Sequence, residues 1–377
     1  METTKSGKTA SEAGRRLRFP LFFWLNLFVA LALLGSQAAA SIHPERFWFL
    51  EILAVSYPVH LLVNILFMIW WTMRRHRYVF ISAAALLIGY EHISRVYQPG
   101  IIASEEQKDS TTIRIMSYNV RLFDLYNWTG NLKTRDSIFK LLIAESPDVL
   151  CLQEYYHSDE GSFQNNDTLK KILGLPFSSI RYGITLRKSD HWGLATFSRF
   201  PVVNEGTVFY TEGKTNFCMF SDLQIKEDTI RVYNLHFQSN HFKPGDYEFI
   251  ENVEEENRDG LLRGTKNILR RIRKAVRIRA EQADELAEHV RNSPFPVVIC
   301  GDFNDPPFSY AYQTVRGNLE DAFCEEGSGL GSTYIGLPVR FRIDYILHSP
   351  KVETVWFKTM KNRLSDHFPI EAGVRIR

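Results

Sequence analysis

Hydrophobic positions divide the chain into an apolar N-terminal part and a longer part in which short apolar runs alternate with polar residues. Residues 19–40 contain no charged side chain, and further apolar runs occupy residues 47–71 and 78–90. A helix that spans a bilayer needs about 20 consecutive, mostly apolar residues. The pattern therefore predicts a membrane anchor over residues 1–97 with two to three transmembrane helices, at about 19–40, 47–71 and 76–95.

The third apolar run decides the predicted topology, because it is shorter than the other two. It reaches spanning length only if Glu91, His92 and Ile93 are included, and the alternative is a buried or interfacial helix. The small residues at 36–40 would also suit cleavage of a signal peptide, but the two later runs favour an anchor. Glu51 lies near the end of the second run, where we expect it to reach water.

Basic residues mark one side of the predicted membrane part. The N-terminal tail, residues 1–18, and the loop at residues 74–77 are both rich in Lys and Arg. Short basic segments of this kind remain in the cytoplasm. Three spans would place the rest of the chain outside the cytoplasm, and two spans would leave it inside. In both cases the pattern predicts an integral protein of a bacterial-type inner membrane.

After a predicted linker at residues 98–111, residues 112–377 have the pattern of a single α/β domain. Residues 134–146 have helical spacing, whereas strand-like runs occupy residues 113–120, 149–152, 192–201, 230–237, 341–347 and 368–370, and another begins at Val298. Most of these strands have a polar residue at or near their end. Strand ends are where α/β proteins commonly build their active sites, so the pattern indicates an enzyme.

The stretch from Val298 to Pro307 shows this pattern most clearly. An apolar strand runs into Asp302 and Asn304, and a proline pair closes the loop. Residues at i and i+2 on an extended chain point the same way. A carboxylate there can accept a proton from water or hold a hard metal ion, and the amide can hold a phosphoryl oxygen without adding charge. The alternative is an ordinary turn with Asp and Asn as turn residues.

Composition narrows the class of protein only slightly. The chain has 377 residues and a formal net charge of +2, so charge alone does not indicate a nucleic-acid-binding protein. Its four cysteines have no metal-binding spacing and imply no disulfide framework. The length allows one large soluble domain with an ample core beside the membrane part.

Six short motifs in a fixed order resemble those of the endonuclease/exonuclease/phosphatase superfamily, which has the fold of pancreatic deoxyribonuclease. They are Ser117-Tyr118-Asn119-Val120-Arg121, Gln153-Glu154, Asn234-Leu235-His236, Gly301-Asp302-Phe303-Asn304, Arg342-Ile343-Asp344-Tyr345-Ile346 and Ser365-Asp366-His367. The resemblance covers roughly residues 112–377. It implies an α/β fold, a two-sheet β-sandwich flanked by helices in four layers, here preceded by N-terminal transmembrane helices. It also implies hydrolysis of phosphate esters with a divalent metal ion, usually Mg²⁺, with Mn²⁺ as a substitute.

The resemblance assigns roles to eight residues. Those implied as metal ligands are Asn119, Glu154 and Asp366, with Glu154 the main ligand, although Asp366 could instead position water. Those implied in the reaction are His236, Asp302, Asn304, Asp344 and His367. Asp302 would orient or deprotonate the attacking water, and Asn304 and His236 would hold the non-bridging oxygens. Asp344 would pair with His367 and favour its charged form. Which aspartate acts as the base remains open at this point.

A strongly charged segment separates two of the motifs. Residues 246–259 are acidic, and residues 263–279 contain eight Lys and Arg residues and no acid. A basic helix there could meet lipid head groups or a nucleic-acid backbone. The favoured alternative is a solvated helix that packs on the sandwich and is neutralised by the acidic run.

Together these features predict a membrane-anchored, metal-dependent phosphoesterase that acts on phosphodiesters. A phosphomonoesterase or a lipid phosphodiesterase is the alternative within the enzyme class, and a catalytically silent membrane scaffold is the alternative outside it. The expected partners are a phosphate-ester substrate, either nucleic acid or a phospholipid head group, and the lipid bilayer through the N-terminal helices. The sequence indicates no protein partner. Residues 340–344 lack the Trp-Cys-Asp-Arg motif of the inositol-polyphosphate phosphatase branch, which makes that branch a poor match.

Overall fold

A computed structural model describes residues 9–100, 111–240, 258–336 and 340–377. Most of the predicted linker and most of the acidic run at residues 246–259 lie outside these described residues. The chain begins with a group of helices, called the N-terminal unit here. Its helices are α1 (Thr9–Ala39), α2 (Pro44–Phe47), α3 (Leu50–Val55), α4 (Tyr57–Met73), α5 (Val79–Ile88) and α6 (Tyr90–Ile93).

The second predicted membrane helix, residues 47–71, is divided in the structure. Helix α3 ends before Ser56, and α4 starts at Tyr57 with Pro58 in its first turn. A proline has no backbone N–H and clashes with the preceding turn, so it suits a helix start and interrupts a continuous helix. Within the described residues, one segment, Leu21–Ala39, is both long and apolar enough to cross a membrane, and α4 and α5 are shorter apolar helices.

Two six-stranded sheets follow. Their strands are β1 (Ile113–Asn119), β2 (Val149–Ser158), β3 (Phe177–Leu186), β4 (Asp190–Ser198), β5 (Val202–Phe209), β6 (Cys218–Ile225), β7 (Asp228–His236), β8 (Val297–Asp302), β9 (Glu320–Asp321), β10 (Asp344–His348), β11 (Val352–Thr359) and β12 (Ile370–Ile376). The first sheet has the order β11-β12-β1-β2-β4-β3 and the second has the order β5-β6-β7-β8-β10-β9. The sheets are mixed, since β1 pairs with β2 and β7 with β8 in parallel while the other neighbours are antiparallel.

Helices cover the outer face of each sheet and complete four layers. The remaining helices are α7 (Thr134–Glu145), α8 (Asn165–Leu173), α9 (Arg258–Arg291), α10 (Tyr310–Arg316) and α11 (Ala322–Glu326), with short 3-10 helices at Arg121–Asp124 and Gly161–Phe163. One apolar core lies between the sheets, a second lies beneath α7 and α8, and a third lies beneath α9 and α10. This arrangement confirms the predicted two-sheet sandwich flanked by helices.

Two predicted strands differ from the structure in a way that affects the site. The sequence pattern ends the second strand at Gln153-Glu154, whereas β2 continues to Ser158 through an irregularity between Leu152 and Tyr155. Such a bulge adds a residue to one strand and redirects its side chains without ending the pairing. The run at residues 341–347 was expected to contain Asp344 in its interior, but Asp344 is the first residue of β10.

Candidate active site

Three neighbouring strands of the second sheet bring His236, Asp302 and Asp344 to one edge. The parallel register of β7 and β8 pairs His236 with Asp302. The antiparallel register of β8 and β10 pairs Asp302 with Asp344. Since β10 runs in the opposite direction, its first residue lies level with the last residue of β8. All three side chains are almost completely buried.

Gly301 allows β8 to lie this close to β7. Its φ is +151°, and a Cβ atom built on it would lie 2.1 Å from the carbonyl oxygen of Leu235. No side chain fits at that distance, so the residue before Asp302 must be glycine if the two strands are to remain paired here.

His367 connects the two aspartates of the sheet edge. Its Nδ1 lies 2.9 Å from Oδ2 of Asp344, and its Nε2 lies 3.7 Å from Oδ2 of Asp302. Burial lowers the pKa of His367, but the carboxylates of Asp344 and Asp302 outweigh burial and hold its pKa well above the ordinary value. The imidazole is therefore positively charged near neutral pH.

Asp302 is at the centre of the cluster. Its Oδ1 accepts a hydrogen bond from the backbone N–H of Asn304 at 2.8 Å, and its Oδ2 lies 3.6 Å from Nε2 of His236. Burial raises the pKa of Asp302, and the nearby Asp344 carboxylate raises it further, whereas His367 and His236 lower it; the net direction is upward. A carboxylate with a raised pKa is a better proton acceptor than an exposed one.

The first sheet contributes Asn119 and Glu154 from the facing side. Asn119 is the last residue of β1, and its Nδ2 donates to Oδ2 of Asp302 at 3.1 Å and to Oε1 of Glu154 at 3.3 Å. Glu154 has a φ of +47° at the bulge of β2, and its side chain is 33% exposed. This backbone conformation is costly for a residue other than glycine, and such residues are concentrated at functional sites.

The other polar residues of the two motifs around Glu154 and His236 join the sheets. Nε2 of Gln153 donates to Oδ1 of Asn234 at 2.8 Å, and Nδ2 of Asn234 donates to the carbonyl oxygen of Ala195 at 3.0 Å. All of these polar groups are buried, so the hydrogen bonds keep the two sheets in register behind the site.

Asn304 and Asp366 complete the set of predicted residues. Asn304 has a φ of +53°, and its Nδ2 donates to the carbonyl oxygen of Phe237 at 3.0 Å. Asp366 lies 3.5 Å from Nε of Arg121, whose guanidinium lies 4.6 Å from the ring centre of Trp128. Arg121 lines the same cavity as Asp366.

A cavity of about 670 Å³ opens over these groups. It is lined by Glu154, Asp302, Asn304, Asp366 and His367, and also by residues that sequence reasoning missed, namely Glu51, Arg279 and Tyr334. Arg279 is buried and pairs with Asp305 at 2.7 Å. The expectation that Glu51 reaches water was wrong, because Glu51 is only 3% exposed and accepts a hydrogen bond from the backbone N–H of Tyr310 at 3.0 Å.

The donor atoms fit a hard divalent cation. Ligand atoms of Asp302, Asp344 and His367 lie within 4.8 Å of one another, but a charged imidazole cannot bind a cation, so the available ligands are the carboxylate and amide oxygens around it. Oδ1 of Asp344 is buried without a hydrogen-bond partner among the described residues. Glu154 adds a partly exposed carboxylate close to Asn119. Oxygen-rich sets of this kind are the ones that Mg²⁺ and Mn²⁺ prefer. A second group, formed by Glu320, Glu325 and His348, lies on other elements.

A two-sheet sandwich with carboxylate, amide and imidazole groups at one edge is the arrangement of a phosphoester hydrolase. The model of the Endonuclease/Exonuclease/phosphatase family matches residues 116–367, and the chain belongs to this family. Its members are generally hydrolases of phosphoester bonds and typically depend on a divalent metal ion. A model described only as a domain of unknown function matches residues 19–96.

Two of the similar solved structures reach a TM-score of 0.50 and share the fold. An endonuclease/exonuclease/phosphatase from Beutenbergia cavernae is 17% identical, with a TM-score of 0.50 over 71% of this chain and 72% of that chain. A humanized TDP2 from D. rerio is 15% identical, with a TM-score of 0.50 over 71% of this chain and 100% of that chain. The human Nocturnin catalytic domain is 19% identical, with a TM-score of 0.49 over 71% of this chain and 95% of that chain. No curated protein matches the chain.

Proposed function

We propose that the protein is a membrane-anchored, divalent-metal-dependent phosphoesterase that cleaves phosphodiester bonds by attack of water. The main support is the buried chain of contacts from Asp344 through His367 to Asp302, opposite Glu154 and Asn119 at the cavity. This arrangement brings together a proton acceptor (Asp302), a positive charge (His367) and a proposed metal-binding carboxylate (Glu154) at one cavity. These are the components that phosphoryl transfer requires.

In the proposed reaction, Asp302 orients the attacking water and accepts its proton. Asp302 suits this role because its pKa is raised and the backbone N–H of Asn304 fixes one of its oxygens. Asp344 acts through His367, since it holds the ring in one orientation and favours its charged form. We therefore propose Asp302, and not Asp344, as the base.

Charge that develops on the phosphoryl oxygens is balanced by His367, His236 and Asn304. All three are held by the protein before substrate arrives, so little reorganisation is needed during the reaction. Glu154, Asn119 and Asp366 would hold the divalent cation, which when bound supplies Lewis-acid polarisation of the phosphate. Asp366 also neutralises Arg121, and this pair would orient the ester beside the cation.

The packing of the N-terminal unit supports its insertion in a bilayer. Its polar side chains face inward, where Nδ2 of Asn26 donates to Ser82 at 2.6 Å and Nε1 of Trp71 donates to Oδ1 of Asn26 at 2.9 Å. Large apolar side chains face outward, including Trp24, Phe28, Leu31, Leu62, Leu66, Phe80 and Leu87. Polar contacts between helices with an apolar exterior are typical of membrane helix bundles. The hydrogen bonds between α1 and the later helices also favour a retained membrane anchor over a cleaved signal peptide.

The position of the catalytic domain, residues 112–377, supports its placement on the extracytoplasmic side. Tyr57, at the start of α4, stacks on Phe308 of the catalytic domain at 4.0 Å between ring centres. The basic loop at residues 74–77 follows the other end of α4, which has 17 residues and is about 25 Å long. If the basic loop is cytoplasmic, the catalytic domain lies on the extracytoplasmic side.

The proposed activity is tested with the full-length protein in detergent. Hydrolysis of bis-p-nitrophenyl phosphate, p-nitrophenyl phosphate and plasmid DNA would be measured with Mg²⁺, with Mn²⁺ and with chelator. We expect metal-dependent turnover of the diester that Asp302→Ala abolishes and that Asp228→Ala, at the start of β7, retains. Turnover that survives both chelator and Asp302→Ala would contradict the proposal.

A further inference from the structure

We infer that the substrate is a lipid phosphoester whose hydrocarbon part lies in an apolar groove that the N-terminal unit and α9 build beside the catalytic groups. The inference rests on the proposed function and specifies the substrate class of the same site. The groove is defined here by Val55, Ile268, Ile272 and Val276, all of which line the cavity that contains Asp302 and His367.

The groove follows one face of α9. Ile268, Ile272 and Val276 are spaced four residues apart, so they form a continuous stripe, and Arg279 follows on the same face at the polar end. Val55 of α3 adds an apolar side chain from the N-terminal unit. Phosphate binding alone does not require such a stripe, and an aliphatic surface beside a phosphoryl site complements an alkyl chain attached to the phosphate.

Glu51 of α3 also lines this cavity. One carboxylate oxygen accepts the N–H of Tyr310, whereas the other is buried without a hydrogen-bond partner among the residues that the structure describes. The N-terminal unit thus contributes both apolar and polar groups to the site.

The groove also lies beside the proposed bilayer. Arg273 of α9 lies 5.9 Å from the ring centre of Trp48, and Arg277 forms an ion pair with Glu45 at 2.5 Å. These contacts hold α9 against the part of the N-terminal unit that connects its apolar helices to the catalytic domain. Lys266, Arg270 and Lys274 are exposed on the same helix. Basic side chains there would attract anionic lipid head groups and raise their concentration at the cavity.

The test is a chain-length series of soluble alkyl p-nitrophenyl phosphate diesters with ethyl, butyl and hexyl groups. The full-length enzyme in detergent would be assayed with Mg²⁺ at monomeric substrate concentrations. A buried methylene contributes roughly a fourfold gain in binding. We expect kcat/KM to rise at least about tenfold from the ethyl to the hexyl ester, because part of the chain leaves water in the transition state.

Ile272→Ser tests the groove itself. We expect it to lower the ratio of kcat/KM for hexyl over ethyl ester by about fivefold or more, since it removes apolar contacts and adds a hydroxyl. Leu262→Ser is the matched control, because Leu262 is on the same helix, is 60% exposed and does not line the cavity. Its ratio should equal that of the wild type. The ethyl ester is the reference for each variant, so a general loss of activity cancels.

Four results separate the possibilities. Equal kcat/KM for all chain lengths in the wild-type protein would overturn the lipid inference and leave the phosphoesterase proposal intact. An unchanged ratio in Ile272→Ser would also overturn it, because the chain would then bind elsewhere. Absence of turnover of even the ethyl ester would refute the proposed function instead. Faster turnover of a dinucleotide than of the hexyl ester would overturn the lipid inference in favour of a nucleic acid.

Discussion

Replacing Asp344 by asparagine separates the charge of this residue from its shape. Asparagine retains an oxygen that can accept the hydrogen bond from Nδ1 of His367, but it removes the negative charge that favours the imidazolium. In the wild-type protein the two groups are 2.9 Å apart and both are buried. The substitution therefore weakens the positive charge beside the phosphoryl group while it leaves the cavity almost unchanged.

The magnitude follows from the distance. Two unit charges 2.9 Å apart attract by about 6 kcal/mol at an effective dielectric constant of about 20. If half of this attraction is lost in the transition state, the rate falls by about 10²-fold. The pKa of His367 also falls, because Asp344, the carboxylate that raises it most, no longer carries a charge. The imidazolium then loses its proton at a lower pH, so the basic limb of the pH–rate profile shifts to lower pH.

The assay is kcat/KM for bis-p-nitrophenyl phosphate with saturating Mg²⁺ across a range of pH. Asp222→Asn is the matched control. Asp222 is equally buried in the same sheet, and its carboxylate lies 2.6 Å from the guanidinium of Arg231. This pair lies outside the active site. Breaking that pair should cost about 3–5 kcal/mol of stability, with kcat/KM of the folded protein within about twofold of the wild type. An Asp344→Asn enzyme with kcat/KM within threefold of wild type and an unmoved basic limb would refute the role assigned to this pair.

Three further predictions test the metal ligand, the strand spacing and the contact between the two parts of the chain. Glu154→Gln should raise the Mg²⁺ concentration for half-maximal activity about tenfold or more; an unchanged titration would exclude Glu154 as a ligand. Gly301→Ala should lower the free energy of unfolding, measured by thermal unfolding, by about 3 kcal/mol or more, because its Cβ would meet the Leu235 carbonyl oxygen. Gly213→Ala is the control, since Gly213 lies in an open turn at φ +79°, and it should cost about 1 kcal/mol. Phe308→Ala should cost about 3–5 kcal/mol of packing and speed proteolysis of the full-length protein; an unaltered digestion rate would contradict the contact with Tyr57.

The strand-end residues could be predicted from the sequence because alternation of apolar and polar positions stops where the strands stop. Asn119, His236 and Asp302 are indeed the last residues of β1, β7 and β8. Their closeness in space follows from parallel pairing of neighbouring strands, which the sequence pattern permits but does not specify. The register that aligns His236 with Asp302 depends on Gly301, whose close contact with Leu235 is a tertiary property.

Glu154 and Asp344 show where reasoning from strand ends fails. A bulge leaves the side chain of Glu154 at the site although its strand continues, and a bulge has no reliable hydrophobic signature. Asp344 reaches the site from the beginning of a strand, because β10 is antiparallel to β8. In both cases the residue type and motif were informative, whereas the position along the strand was not.

Glu51 could not have been assigned to the site, because its partner Tyr310 is 259 residues away in the sequence. An apolar run around a single carboxylate suggests a membrane helix whose acid reaches water. One local signal did point elsewhere, since Pro58 within that run favours a helix start. Because the helix is interrupted there, the short helix α3 has its own direction, and Glu51 contacts Tyr310 of the catalytic domain.

Through this contact the N-terminal unit becomes part of the cavity wall, in addition to its proposed role as an anchor. Phe308 lies six residues after Asp302 in the sequence, and its ring packs among Tyr57, Ala54 and Ala85 of the N-terminal unit. The loop between them also contains Asn304 and Asp305, so helices of the N-terminal unit hold the same loop that positions the proposed base. A fragment that begins after residue 97 would expose Phe308 and would lack Glu51 and Val55 of the cavity wall. We therefore expect catalysis in such a fragment to be weaker than in the full-length protein even on a soluble diester.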